Sequence, residues 1–121
     1  MDTESIDQLL KFLPRFAAGD FATASEQYQS TGRYMEPVND LIQAIGSSGL
    51  LLQFDWTAWK DGALYARDPS LLKTADLETV RRVLTTIVRQ DRFVGGLMPR
   101  VCSNGTMKEL LERLAELYDH R

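Results

Sequence analysis

The sequence predicts an all-α protein: a single compact domain, residues 1–121, of five to seven helices arranged around a central helix at about residues 75–93. Apolar residues recur at the three- and four-residue spacing of a buried helix face in four separate segments. A chain of 121 residues has the usual size of one domain. The strand-like run at residues 50–54 has no second run with which to form a sheet, so a β-structure is not expected.

The first helix is predicted to begin at Ser5, because Ser5 and Gln8 form a capping box ahead of an apolar face. Pro14 lacks a backbone donor, so the helix either stops there or continues with a kink, and Gly19 is a suitable end. Residues 20–36 have weak periodicity. They predict a short helix followed by a loop.

The next amphipathic helix is predicted to start at Pro37, since an N–H at the first helical position would have no partner within the helix and its absence costs no hydrogen bond. It should end at the glycines and serines of residues 46–49. Residues 50–54 are expected to cross the core in extended form. Asp55 is then predicted to cap a helix over residues 56–67.

That helix carries Trp59, Gly62, Ala63 and Ala66 on one face. Their small side chains would let another helix approach closely beside the indole ring. The sequence therefore predicts a tight helix contact at this face.

Thr74 is predicted to cap the central helix, and Gly95 and Gly96 are predicted to end it. Its apolar stripe consists of Val80, Val83, Leu84, Ile87 and Val88. The last helix is predicted to open with a capping box formed by Thr106 and Glu109. We expect the central helix to pack against the first and last helices.

The composition excludes several classes of protein. A net charge of −3 and a pI near 5.1 argue against a protein whose main task is to coat nucleic acid. The longest uninterrupted apolar run, residues 50–52, is far shorter than the roughly 20 residues that span a bilayer. The acidic start does not resemble a secretory signal, and one cysteine cannot form an intrachain disulfide. We therefore expect a soluble, cytoplasmic protein.

No grouping in the sequence indicates a catalytic centre. His120 is the only histidine, and Cys102 has no histidine partner to activate it and no second cysteine with which to hold zinc. Gly95 and Gly96 lack the preceding strand and third glycine of a dinucleotide fingerprint, and no phosphate-binding loop motif is present. We expect no catalytic residue, no metal and no cofactor.

One polar edge of the central helix is a candidate binding site. Arg81, Thr85, Arg89 and Arg92 follow one another at spacings of four, four and three, so three guanidinium groups would share this edge. Such an edge suits a phosphate or a carboxylate. The alternative interpretation is a solvated helix face that Asp91 and acidic neighbours partly neutralise.

The turn at Asp55 and Trp56 is the second candidate. Trp56 and Trp59 lie within four residues of each other, and tryptophan is enriched in binding hot spots. At helical spacing beside small residues, the same indoles are also typical of a core. Both interpretations stay open from the sequence.

Three stretches carry a family resemblance: residues 54–56 followed by Trp59, residues 75–79, and residues 84–93. Together they resemble DUF6508, a bacterial family of unknown function, over most of the chain from about Pro37 onward.

The resemblance implies an α-helical domain of bacterial origin and carries no mechanism. After the Asp-Arg-Phe motif the family has an acidic residue, glycine and histidine, where this chain has Gly95, Gly96 and Leu97. The resemblance therefore implies no acid–base role for this segment.

These observations lead to two hypotheses about function. The first is a non-catalytic protein-binding or regulatory module, with a protein partner or self-association expected. The second is an enzyme, or a site for an anion or nucleic acid, built around Arg89, Asp91 and Arg92 and the turn at Asp55 and Trp56. Nucleic acid is the less favoured partner because the chain is acidic.

Overall fold

The computed structural model describes residues 3–119. They form eight α-helices and no strand, which confirms the predicted all-α class. The helices are α1 (Thr3–Leu10), α2 (Phe12–Ala17), α3 (Ala24–Thr31), α4 (Glu36–Ser47), α5 (Gly62–Arg67), α6 (Leu77–Asp91), α7 (Leu97–Ser103) and α8 (Thr106–Asp119). Short 3₁₀ turns at Trp56–Ala58 and Pro69–Thr74 flank α5.

The helices of residues 3–119 outnumber the predicted five to seven because the first predicted helix is divided in two at Lys11. Pro14 has no N–H to donate to the carbonyl of Leu10, and its ring crowds that carbonyl, so the helix breaks one turn before the proline. Ser5 lies inside α1, which already covers Thr3. The predicted start at Ser5 is therefore wrong.

The central helix, α6, supplies the largest buried stripe. Its five apolar residues are those that the periodicity predicts: Val80, Val83, Leu84, Ile87 and Val88. It packs against α5, α7 and α8, while the main contacts of α1 are with α4 and α2. The expected packing of the central helix on the last helix is confirmed. The expected packing on the first helix is wrong, because α1 packs mainly on α4 and α2.

The start of α6 differs from the prediction. Asp76 is the capping residue, and its Oδ1 accepts from the Thr79 N–H at 2.8 Å. Thr74 belongs to the preceding 3₁₀ turn, so the predicted cap at Thr74 is wrong. Helix α6 ends at Asp91, two residues before the predicted end.

Residues 50–54 belong to neither a helix nor a strand. Side chains of α6 hold them in place. The Leu52 N–H donates to Thr85 Oγ1 at 2.9 Å, and Arg81 Nε donates to the Leu50 carbonyl at 2.9 Å. Backbone groups that would otherwise need a neighbouring strand are thereby satisfied.

Asp55 does cap the segment that follows, but this segment is the 3₁₀ turn Trp56–Ala58 and not a helix over residues 56–67. Trp59 has the extended angles φ −83° and ψ 98°, which interrupt a helix. The chain becomes α-helical only at Gly62.

The capping box predicted for α8 is absent. The Thr106 N–H donates to Asn104 Oδ1 at 3.0 Å, so Asn104 satisfies the first turn. The Thr106 hydroxyl is buried and has no hydrogen-bond partner. The prediction of a Thr106–Glu109 box is therefore wrong, and the orphaned hydroxyl requires another explanation.

Candidate functional site

The arginine edge of α6 is not a continuous cationic surface. Arg81 donates from Nε to the Leu50 carbonyl at 2.9 Å and from Nη2 to the Gly49 carbonyl at 3.3 Å. Thr85, which the spacing assigns to the same edge, is fully buried and hydrogen-bonded to the backbone of Leu52. This part of the edge holds residues 49–52 to α6.

Asp91 is also engaged internally. Its Oδ1 accepts from the Tyr34 hydroxyl at 2.6 Å and from the Met98 N–H at 2.8 Å. The Gly96 N–H donates in turn to the Tyr34 hydroxyl at 3.1 Å. The carboxylate therefore satisfies the first turn of α7 and joins it to the loop before α4.

Arg89 is half-buried and Arg92 is exposed. Within residues 3–119, neither side chain forms a hydrogen bond or an ion pair, so Asp91 does not neutralise them. Of the three charged residues that the sequence assigns to this end of α6, Asp91 is engaged internally, and only Arg89 and Arg92 remain available to an external anion.

At the second candidate, Asp55 is exposed and accepts from the Thr57 N–H at 3.1 Å and from the Thr57 hydroxyl. The hydroxyl bond is the main reason that the pKa of the Asp55 carboxyl is lowered. Trp56 is half-buried, and its ring centroid lies 6.3 Å from that of Phe93. The turn thus brings Trp56 beside the end of α6.

A cleft of about 650 Å³ opens beside this turn, and sequence reasoning missed it. It lies between the segment containing the turn and α5 on one side and α6 and α7 on the other. Its aromatic wall is formed by Trp56, Trp59 and Tyr65, and its aliphatic side by Val83, Ile87, Leu97 and Val101.

Trp59 is the centre of the aromatic wall. Its ring stacks on Tyr65 at a centroid distance of 6.0 Å and meets Phe54 edge-on at 5.9 Å. A Cβ at Gly62 would lie 3.2 Å from the Trp59 ring, so the glycine allows this close approach. Aromatic pairs in these arrangements contribute beyond their buried area.

The polar side chains that line the cleft are mostly donors. Arg67 and Arg100 are exposed, and Gln90, Asn104 and Thr106 also line it. No lining residue among those that the structure describes is an aspartate, glutamate, cysteine, histidine or lysine. The charged part of the cleft is therefore wholly cationic.

The sequence did contain one signal of this cleft. Ala63 and Ala66 were predicted to sit under another helix beside the indole of Trp59. Instead, both are exposed and line the cleft, because no helix covers α5 there. Small residues beside a tryptophan are therefore compatible with an open cleft as well as with a closely packed helix.

Across residues 3–119, no three His, Cys, Asp or Glu side chains cluster in a way that could hold a metal ion. No helix in the same part of the chain has the length and apolar character to cross a membrane. His120 lies outside the described residues.

Stability is expected to fall in alkaline solution. Burial raises the pKa of the Cys102 thiol from 9.0 to about 12, and burial, aided by the bond to Asp91, raises that of Tyr34 from 10.0 to about 12. Both groups ionise in the unfolded chain before they ionise in the folded protein. The free energy of unfolding should therefore decline from about pH 9 towards pH 12, by at most about 1.4 kcal/mol per pH unit for each group. Tyr34 is more exposed and should contribute less.

Urea unfolding at a series of pH values measures this decline. Cys102→Ala should make it shallower, and Tyr34→Phe should remove the smaller share above about pH 10. An unfolding free energy that stays constant from neutral pH to about pH 11 would contradict the assignment of raised pKa values.

Comparison with known proteins identifies the family. No curated protein and no solved structure matches the chain. A model for a family of unknown function, DUF6508, matches residues 1–120. The match includes the first 36 residues, where the sequence resemblance is weak. The chain belongs to the family of unknown function DUF6508.

Proposed function

We propose that the protein is a non-catalytic binding or regulatory module whose binding site is the cleft between α5, α6 and α7. The cleft itself is the observation that supports the proposal. Its volume of about 650 Å³ falls within the range of small-molecule sites, and aromatic and aliphatic side chains form most of its wall. Polar side chains line the rest of the cleft, and such groups orient a bound ligand.

The side chains present suit binding and not catalysis. General acid–base catalysis most often uses a histidine or a carboxylate, and the charged residues that line the cleft are both arginines. The hydroxyls of Thr57, Thr86 and Thr106 have no base among the lining residues to activate them. A molecule in the cleft would be held without a group to transform it.

Screening small fragments by NMR tests this proposal. The protein has two tryptophans, Trp56 and Trp59, and both line the cleft, so their indole N–H signals report its occupancy. We expect saturable shifts of both signals and recovery of the fragment unchanged.

Two matched variants control the screen. Ala63→Phe should fill the cleft and abolish the shifts, whereas Ala17→Phe, at an exposed alanine of α2, should preserve them. Fragments that bind without moving either indole would place the site elsewhere and refute the proposal. Chemical conversion of a bound fragment would show an enzyme instead.

The alternative, an enzyme or an anion or nucleic-acid site around Arg89, Asp91 and Arg92, has less support. Asp91 is engaged by Tyr34 and Met98, which leaves only the two arginines. The alternative would be favoured if Arg89→Gln and Arg92→Gln abolished fragment binding while Ala63→Phe did not.

For a protein partner, we propose a contact at the turn after α6. Phe93 is 79% exposed and Val94 is 44% exposed, beside the half-buried Trp56. Exposed aromatic groups of this kind mark protein interaction sites. Self-association is the case that can be tested first.

Sedimentation velocity at increasing protein concentration measures self-association. We expect the wild type to show a concentration-dependent dimer and Phe93→Ser to remain monomeric. Leu71→Ser, at another exposed apolar residue, is the matched control and should behave as the wild type. A wild type that stays monomeric throughout would exclude self-association through this turn.

We also propose that the protein acts in the cytoplasm of a bacterium. Its single cysteine, Cys102, is buried and unpaired, which suits a reducing compartment.

A further inference from the structure

Among the described residues, the cleft contains unpaired hydrogen-bond donors but no carboxylate that could accept from them. The Arg100 side chain has no hydrogen bond or ion pair within residues 3–119, and the Arg67 side chain uses only its Nε, in a long contact of 3.4 Å to the Ala63 carbonyl. Asn104 Oδ1 accepts from the Thr106 N–H, so the side-chain N–H groups of Asn104 remain available as donors. Several donors thus line one cleft, and no carboxylate is present to accept from them.

The hydroxyl of Thr106 is the most informative of these groups. Thr106 is 2% exposed, lines the cleft, and has a side-chain oxygen without any partner. A buried polar atom without a partner costs about 1–3 kcal/mol. Neither the capping box nor a neighbouring side chain uses this hydroxyl, so a ligand or a water molecule in the cleft is left as its acceptor.

The aromatic wall limits the shape of that ligand. The rings of Trp59 and Tyr65 stack with their planes inclined by 21°, and both residues line the cleft, so the wall consists of aromatic rings in nearly parallel orientation. Val83 and Ile87 of α6 line the cleft as well and contribute aliphatic surface. A planar apolar ring suits this combination, since ring stacking and apolar burial both favour it.

We propose that the cleft binds a small planar aromatic carboxylate, with its ring against Trp59 and Tyr65 and its anionic group near Arg100. The Thr106 hydroxyl donates to the same ligand. This assignment rests on the proposed function, because it specifies the ligand of the cleft described there. Guanidinium groups bind carboxylates through two parallel hydrogen bonds, which gives them an advantage over any neutral isostere.

The experiment compares two probes of the same shape, 2-naphthoate and its neutral amide, 2-naphthamide, by calorimetry and by the two indole N–H signals. We expect 2-naphthoate to bind about tenfold more tightly than the amide, as a charge-assisted hydrogen bond allows. Arg100→Gln should remove this difference, weakening the carboxylate about tenfold and leaving the amide unchanged.

Arg92→Gln is the matched control, because Arg92 is another exposed arginine without a partner and does not line the cleft. It should leave both affinities unchanged. If it weakens 2-naphthoate as much as Arg100→Gln does, general electrostatic attraction explains binding and the proposal is wrong.

Thr106→Val separates a role in binding from a role in folding. The substitution keeps the shape and removes an oxygen that bonds to nothing, so the unfolding free energy should be unchanged or slightly higher. The affinity for 2-naphthoate should nevertheless fall severalfold. An unchanged affinity would remove Thr106 from the site.

The outcomes distinguish the two proposals. Equal affinity for both probes, with both indoles shifted, would overturn the anionic ligand and keep the cleft as a binding site. Absence of any binding to the cleft, by these probes and by the fragments, would overturn both.

Discussion

Replacing Gly96 with alanine is expected to lower the free energy of unfolding by about 2–4 kcal/mol. Gly96 has φ +89°, which side chains of L-residues rarely adopt. A Cβ there would also lie 2.7 Å from Cε2 of Tyr28. The Tyr28 ring cannot retreat freely, since it packs edge-on against Tyr34 at 5.4 Å. Urea unfolding of the purified variant measures the loss.

Gly105→Ala is the matched control for this substitution. Gly105 has a similar φ of +92° but no atom within 4 Å of the added Cβ. It should therefore show only the backbone strain, about 1–2 kcal/mol. If Gly105→Ala and Gly96→Ala destabilise equally, the contact with Tyr28 contributes nothing.

Asp91→Ala is expected to lower the free energy of unfolding by about 3 kcal/mol. The substitution removes the acceptor for the Tyr34 hydroxyl and the Met98 N–H, and both donors are part-buried. After the substitution, the hydrogen bond from the Gly96 N–H is the only one within residues 3–119 that still joins the Tyr34 hydroxyl to the segment between α6 and α7. Equilibrium unfolding measures the loss, and far-UV circular dichroism checks that the variant is folded.

Asp91→Asn is the conservative control because its amide oxygen still accepts a hydrogen bond from Tyr34 or Met98. It should lose less than half as much stability as Asp91→Ala. A double-mutant cycle with Tyr34→Phe should give a coupling energy of about 1 kcal/mol or more between the two side chains. If Asp91→Ala leaves stability unchanged and the cycle shows no coupling, Asp91 has no structural role and is again a candidate binding residue.

Much of the fold follows from local pattern. The apolar stripe of α6 and the start of α4 near Pro37 were predictable because 3.6-residue periodicity and the position of a proline act within one helix. The choice between two nearby capping residues could not be predicted from local pattern. Thr74 and Asp76 both suit a cap, and Asp76 takes the role because Thr74 is used by the 3₁₀ turn before it.

The candidate site was harder to predict because its contacts are remote in sequence. Arg81 bonds to a carbonyl 31 residues away, and Asp91 to a hydroxyl 57 residues away. Spacing along α6 places the arginines on one edge but cannot show which of them the backbone of another segment will engage. The cleft depends on separate parts of the chain, and only Trp56 among the predicted site residues lines it.

The attachment of residues 50–54 to α6 also limits when the cleft can form during protein synthesis. Leu52 is held by Thr85, 33 residues further along, so a long loop must close before the backbone leading to the tryptophans is fixed. During synthesis from the N-terminus, this attachment can form only after Thr85 has left the ribosome. The cleft is therefore incomplete until α6 has been synthesised, because a nascent chain that ends before α6 lacks the lining residues Val83 and Ile87 and the hydrogen bond from Leu52 to Thr85.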